Sequence, residues 1–334
     1  MRKAVWILPI LVVVVFAGYW LAVARSVDAG LRGWFAERAA EGWVAEHAPI
    51  RTTGFPFGFE TVLRDVTLAD PASGVAWDAP RFVIEARAFA PNRITAIWPS
   101  EQTLASPYER ILVASERFEA RIAFVPGPRL EVEEIAADLE GVALSSTLGW
   151  DTRVAVGHLS ATLLDTPQNA YALRFEATGL TLAPDLRRSL DPARLLPDVV
   201  EGLIAEGSIV FDAPWDRFAI EAARPQITAL SLRDLRAQWG GIEVRAAGTL
   251  DVDADGTPEG RITLKVTNWR DLLEVARNAG LLPEPLMPTI SRAFEILAGL
   301  SGPPETLDAP LTFANGNVSF GPVPLGRAPV LLFR

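Results

Sequence analysis

The feature that most restricts the fold is a regular alternation of apolar and polar side chains along most of the chain after residue 59. In 117–124 the charged side chains stand at odd positions, and the same period of two runs through 171–177, 242–246 and 261–267. Successive side chains of a strand point to opposite faces, so this pattern predicts strands buried on one face only. We expect about a dozen strands joined by hairpins into an antiparallel sheet. The predicted fold class is therefore mainly β.

Helical patterns interrupt the strands only near 185–205 and 269–300. These are too few for alternating βαβ units. No long glycine, serine or charge run marks a domain border. The simplest organisation is one elongated β-rich domain over 51–334.

The apolar face of such a sheet needs a cover. A dozen strands at ~4.8 Å spacing make a sheet ~60 Å wide, which the few helices would not obviously cover. The sheet either closes on its own side chains as a sandwich or barrel, or curls into a half-tube with an open apolar groove. Alternation alone does not separate the two. The candidate groove residues are Phe118, Ile122, Phe124, Tyr171, Leu173, Phe175, Ile262, Leu264 and Val266.

An uncharged run of 21 residues, Ala4–Ala24, follows the basic pair Arg2 and Lys3. A bilayer core needs roughly 20 apolar residues of helix, so residues 1–25 are predicted to be a transmembrane anchor. The alternative is a cleaved signal peptide, because residues 22–24 have a small-x-small pattern; the run is longer than a usual signal core.

Aromatic rings stand near both ends of this run, at Trp6, Tyr19 and Trp20. Such rings prefer the headgroup level of a bilayer, so these three are the predicted interface residues. The short basic head before the apolar run resembles that of a signal sequence, so we expect the bulk of the chain to face the periplasm or the exterior. The segment 26–50 is predicted to be an amphipathic helix that packs on its own domain or lies on the membrane.

Composition excludes several functions. The chain has no cysteine, and 31 basic against 41 acidic residues give a net charge of −10. Disulfide scaffolds, thiol nucleophiles and nucleic-acid binding are therefore not expected. Only His47 and His158 are present, without a Gly-x-Ser-x-Gly elbow or a phosphate-binding loop. We expect no enzyme and no cofactor.

One acidic segment resembles the first half of a calcium loop. Asp251, Asp253 and Asp255 precede Gly256, but position 12 is Ile262 instead of glutamate. The segment is either an acidic hairpin turn or a weak calcium site that also uses Glu259.

Three segments carry a resemblance to a known family. The segment Arg51–Glu60, with its Gly-Phe-Pro-Phe motif, the segment Asn268–Arg270 and the closing hairpin Asn315–Gly326 resemble an uncharacterised proteobacterial envelope family of the AsmA-like group. This resemblance implies an inner-membrane-anchored periplasmic protein with a long apolar β-groove of the kind associated with lipid handling. It implies no catalytic residues.

The expected function is to bind or transfer lipid acyl chains in outer-membrane homeostasis, with membrane lipids as partners. The alternative is an assembly or scaffold module that binds another envelope protein through its sheet edge or acidic face.

Overall fold

A computed structural model describes residues 4–192, 194–221, 224–278, 287–301, 303–321 and 323–332. These residues form five helices and eighteen strands, with antiparallel pairing throughout the registered strand pairs. The chain divides into two compact units. Unit 1 comprises Met1–Phe124 and Leu144–Gly149, and unit 2 comprises Val125–Ala143 and Trp150–Arg334. The predicted fold class, mainly β with a long antiparallel sheet and few helices, is confirmed.

Unit 1 combines one long helix with short and long strands. Its elements are α1 (Ala4–Ala40), β1 (Val44–Glu46), β2 (Arg51–Thr53), β3 (Gly58–Asp70), β4 (Val75–Arg87), β5 (Ala90–Ile97), β6 (Glu101–Ala105), β7 (Arg110–Ala114) and β8 (Arg117–Phe124). The hairpin of β3 and β4 is its centre, paired from Gly58 with Arg87 to Asp70 with Val75. β1 and β2 pair with β3, while β5 and β6 pair with β4.

The helix α1 differs from the expected division into an anchor and a separate helix over 26–50. It continues without a break to Ala40, and Val44–Glu46 and Arg51–Thr53 are strands. No proline stands at the expected junction near Arg25, and the hydroxyl of Ser26 donates to the carbonyl oxygen of Ala22 within the helix at 2.9 Å. The helix ends at Ala40, and Gly42 two residues later has a φ of 91°, a left-handed conformation that does not continue a helix.

The two halves of α1 have different surroundings. Leu11 to Val15 are 55–64% exposed, whereas Phe35 is 4% exposed. Phe35 packs with Ile50, Leu63 and Val66 in one core cluster. The second half of α1 therefore covers part of the sheet of unit 1. α1 is the one helix in the described residues long and apolar enough to cross a membrane.

Unit 2 is a run of long antiparallel strands with short helices. Its elements are β9 (Val132–Ser146), β10 (Asp151–Leu163), β11 (Ala170–Thr181), α2 (Pro184–Leu190), β12 (Val199–Phe211), α3 (Arg217–Glu221), β13 (Ile227–Trp239), β14 (Ile242–Val252), β15 (Pro258–Thr267), α4 (Trp269–Asn278), α5 (Met287–Ser301), β16 (Thr306–Ala314), β17 (Asn317–Phe320) and β18 (Val323–Arg327). From β10 onwards each strand pairs with the next strand along the chain.

One of the three boundaries between the units falls inside a strand. Residues 132–143 of β9 belong to unit 2, and its last residues belong to unit 1. A strand has no linker composition, which is why the sequence shows no boundary there.

The helix expected near 185–205 is much shorter. α2 ends at Leu190, and β12 already begins at Val199. The buried carboxylate of Asp191 accepts hydrogen bonds from the N–H groups of Leu195 and Leu196, both at 2.9 Å, which fixes a turn there. Pro192 and Pro197 also oppose a continuing helix. The helical region expected at 269–300 is present as α4 and α5, and 279–286 lie outside the described residues.

Candidate functional site

The register of unit 2 places one residue from each of seven strands in a single row across the sheet. We call this the central row; it consists of Ala161, Leu173, Gly207, Leu232, Gly248, Ile262 and Leu311. Directly paired residues in a sheet point to the same face. The central row is therefore entirely apolar, and from Ala161 to Ile262 it alternates small and large residues.

The two glycines of the central row mark a strong curvature. A Cβ atom on Gly207 would lie 2.2 Å from the carbonyl oxygen of Ser231, and one on Gly248 would lie 2.2 Å from that of Arg261. In both cases the obstacle is the backbone of the neighbouring strand, so that strand bends toward the apolar face. Glycine permits such a close backbone approach. The apolar face is therefore concave along this row.

The concave face contains a pocket of about 310 Å³, which we call the groove. Its apolar lining includes Leu159, Leu173, Phe175, Ala205, Gly207, Leu230, Leu232, Gly248, Leu250 and Ile262, and its polar lining is Arg174, Glu206, Ser208 and Ser231. Leu159 is 42% exposed, so the groove is open on that side. On the other side Leu250 is 7% exposed and is buried in a core cluster with Phe313 and Val318. This volume lies at the lower end of ligand pockets. Of the residues predicted from the sequence, Leu173, Phe175 and Ile262 come together here.

The same face is covered on one side of the groove by helices. Val266 is buried with Trp269 of α4 and Phe294 of α5, and Leu264 packs against this cluster. These two predicted groove residues therefore belong to a closed core. The two alternatives for the apolar face thus occur side by side in unit 2, because α4 and α5 cover only part of it.

Another core closes the face beyond the groove. Tyr171 is buried with Ile209 and Phe211, and Trp215 packs against them. The hydroxyl of Tyr171 donates to the carbonyl oxygen of Val132 at 2.8 Å. Burial raises the pKa of Tyr171 to about 12, since the phenolate would lose its hydration. Tyr171 is thus a structural residue of unit 2 and does not line the groove.

The three remaining groove candidates lie in unit 1. The ring of Phe118 stacks on Trp98 with centroids 4.6 Å apart, and Ile122 pairs with Ile94 across β5 and β8. Phe118, Ile122 and Phe124 are all half-buried. The structure therefore distributes the nine candidates over two separate units.

The predicted interface residues of α1 contact the sheet of unit 1. Trp20 donates through Nε1 to the carbonyl oxygen of Gly58 at 2.8 Å, and its ring stacks on Phe59. The hydroxyl of Tyr19 donates to the carbonyl oxygen of Ala88 at 3.2 Å. The side chain of Trp6 lies outside the described part of the chain.

The acidic segment 251–256 forms a turn between β14 and β15. One carboxylate oxygen of Asp253 accepts hydrogen bonds from the N–H groups of Asp255, at 3.0 Å, and Thr257, at 2.8 Å. Gly256 has a φ of 78°. No group of three metal-ligating side chains comes together anywhere in the described residues. Asp253 and Asp255 lie in this turn, and Asp251 lies near the end of β14.

The histidines also have local partners. Nδ1 of His158 lies 2.8 Å from a carboxylate oxygen of Asp138, on the face of β10 opposite the groove. Nδ1 of His47 lies 2.7 Å from the carbonyl oxygen of the next residue.

Sequence reasoning missed Gly207 and Gly248. An isolated glycine inside an alternating strand indicates a close backbone approach, and that signal was available at both positions.

Comparison with known proteins identifies a family for this chain. No curated protein and no solved structure matches the chain. Residues 20–329 match a family described as "Uncharacterized protein conserved in bacteria (DUF2125)", which covers both units almost completely. The chain therefore belongs to this family of conserved bacterial proteins.

Proposed function

We propose that this protein is held in the bacterial inner membrane by α1 and that the groove of unit 2 binds a lipid acyl chain on the periplasmic side. The observation that carries the proposal is the half-buried, wholly apolar central row and the groove over it, which is open at the exposed Leu159. A role in lipid transfer and envelope homeostasis, and kinship with the AsmA-like group of proteobacterial proteins, follow from the sequence resemblance and belong to the same proposal.

The composition of the groove supports an apolar ligand. Soluble surfaces rarely leave a contiguous apolar patch open unless it binds something. Each methylene group moved from water into such a site contributes about 0.8 kcal/mol. An acyl chain is narrow and wholly apolar, so it matches a floor made of Gly207, Leu232 and Gly248.

The polar residues are placed where they do not obstruct such a ligand. Arg174 pairs with Glu206, and both belong to the polar face by their position in the register. Their charges are thus already compensated beside the groove. Nothing in the groove lining requires a charged ligand.

Photocrosslinking tests the proposal. The full chain is reconstituted in bilayer nanodiscs that contain a phospholipid with a diazirine on one acyl chain, irradiated and mapped by peptide mass spectrometry. We expect labelled peptides from β10, β11 and β15. Ile262→Glu should reduce this labelling at least tenfold, because a carboxylate in an apolar site is strongly unfavourable for an acyl chain.

Thr263→Glu is the matched control. Thr263 is the next residue of β15, is exposed and points to the opposite face, so labelling should persist. Leu159→Glu, at an exposed position of the groove, should repeat the loss with less risk to folding. Labelling confined to α1, or equal labelling of all variants, would contradict lipid binding in the groove. A crosslinked protein in place of lipid would favour the scaffold alternative.

A further inference from the structure

An aromatic cluster surrounds α1 where it meets the end of the β3–β4 hairpin. We call it the aromatic collar; it consists of Phe16, Trp20, Phe55, Phe57 and Phe89. Phe16 stacks on Phe89 with centroids 5.3 Å apart, and Trp20 meets Phe55 edge-on at 5.5 Å. The hairpin end is therefore fixed at the level of residues 16–20 of α1.

Three rings of the aromatic collar are exposed. Phe55 is 52%, Phe57 79% and Phe89 78% exposed. All three are in the two loops at one end of the hairpin, where Gly58 pairs with Arg87. The N–H of Ala88 donates to the carbonyl oxygen of Phe57 at 3.0 Å and joins the two loops. Together they form one contiguous apolar surface.

This surface continues the exposed apolar surface of α1. The exposed residues Leu11 to Val15 directly precede Phe16, the first residue of the aromatic collar, whose ring stacks on Phe89. A bilayer core requires roughly 20 helical residues. Counted from Ala4, the first residue after the basic pair, the core extends to about Val23. The level at which α1 contacts the hairpin, Phe16 to Trp20, thus falls within the bilayer.

Insertion into lipid requires that polar groups be paired within the protein, and several backbone groups beside the aromatic collar are paired in this way. The carbonyl oxygen of Gly58 accepts the Trp20 indole N–H, and its own N–H donates to Gly54 at 3.0 Å. The carbonyl oxygen of Ala88 accepts the Tyr19 hydroxyl.

We propose that the aromatic collar is a second membrane-binding element, in which Phe55, Phe57 and Phe89 insert into the same bilayer that α1 spans. The partner is the lipid bilayer itself. This inference rests on the proposed anchoring by α1, and it adds that unit 1 is docked on the membrane by its own loops.

Nitroxide depth measurements test this insertion in the full chain reconstituted in phosphatidylcholine–phosphatidylglycerol nanodiscs. The chain has no cysteine, so a single label can be attached after Phe57→Cys or Phe89→Cys without removing native thiols. Tyr108→Cys is the matched control. Tyr108 is an aromatic residue 86% exposed in a loop beside the opposite end of β4, because Ala105 pairs with Ala76 there. Val13→Cys reports on α1 alone.

The measured quantity is the ratio of the collision rate of each label with oxygen to its collision rate with a nickel chelate. We expect this ratio to be at least threefold higher at positions 57, 89 and 13 than at position 108. If position 13 is protected from nickel while 57 and 89 resemble 108, the collar proposal is wrong and the anchor stands. If position 13 also resembles 108, both are wrong. Unchanged circular dichroism of each labelled protein excludes misfolding as the cause.

Discussion

Gly207 and Gly248 show how single residues shape unit 2. Both lie beside register shifts in the sheet, one between Glu206 and Gly207 in β12 and one between Leu232 and Leu235 in β13. A Cβ atom on either glycine would lie 2.2 Å from a carbonyl oxygen of the adjacent strand. Their role is steric, because neither has a positive φ. The curvature of the apolar face thus depends on two missing side chains.

Gly207→Ala should lower the free energy of unfolding by about 1–3 kcal/mol, since the added methyl group forces the strands apart. The control is Gly202→Ala in the same strand, where nothing lies within 4 Å of the new atom. That variant should be neutral or stabilised by about 0.4–1 kcal/mol. Urea titration followed by circular dichroism measures both, and equal midpoints would refute the steric role.

At the residue scale, alternation predicted the faces well. Leu173, Phe175 and Ile262 line the groove, as expected from their parity in the strand. The same parity applies to Val266 and Tyr171, which are buried. Period-two patterning assigns a side chain to one face of the sheet. It does not show which part of that face a helix covers, because that depends on tertiary contacts.

At the element scale, α1 joins two environments in one helix. Its first half exposes Leu11–Val15, and its second half packs Phe35 against β3. The sequence indicated two segments because residues 4–24 are uniformly apolar, whereas the apolar residues after Arg25 alternate with charged ones at helical spacing. Backbone continuity was not predicted, because Gly30 and Gly33 follow the expected junction and yet remain helical.

Phe35→Ala should destabilise the packing of α1 on β3 by about 3–5 kcal/mol, because it removes a large buried ring. Trp34→Ala is the control: Trp34 is the neighbouring residue and is 42% exposed, so its loss should cost less than about 1 kcal/mol. Hydrogen exchange of the β3 amides at Leu63 and Val66 reports the effect. Equal protection in both variants would show that α1 does not stabilise this sheet.

At the scale of the whole molecule, the mainly β class and the single apolar N-terminal helix were predictable, whereas two compact units were not. One boundary lies within β9, where alternation continues across it, and the other two lie at turns between strands like those elsewhere in the chain. A boundary inside a strand has no signature in composition.

Membrane topology is a property of the whole chain and has its own test. A reporter enzyme active only outside the cytoplasm, fused after Arg334, should be active if α1 leads unit 2 into the periplasm. A fusion to a fluorescent protein that matures only in the cytoplasm should remain dark. Fluorescence with a stable but inactive enzyme fusion would reverse the proposed orientation.

The glycines of the central row also affect the entropy of binding. A ligand that settles on a floor of side chains must immobilise rotamers, at about 0.5–1.5 kcal/mol for each flexible one. At Gly207 and Gly248 there is no χ angle to restrict, and the backbone there is already fixed by the β ladder. The groove is therefore preorganised along its middle, so selection among ligands should depend on their thickness and flexibility more than on any adjustment of the protein.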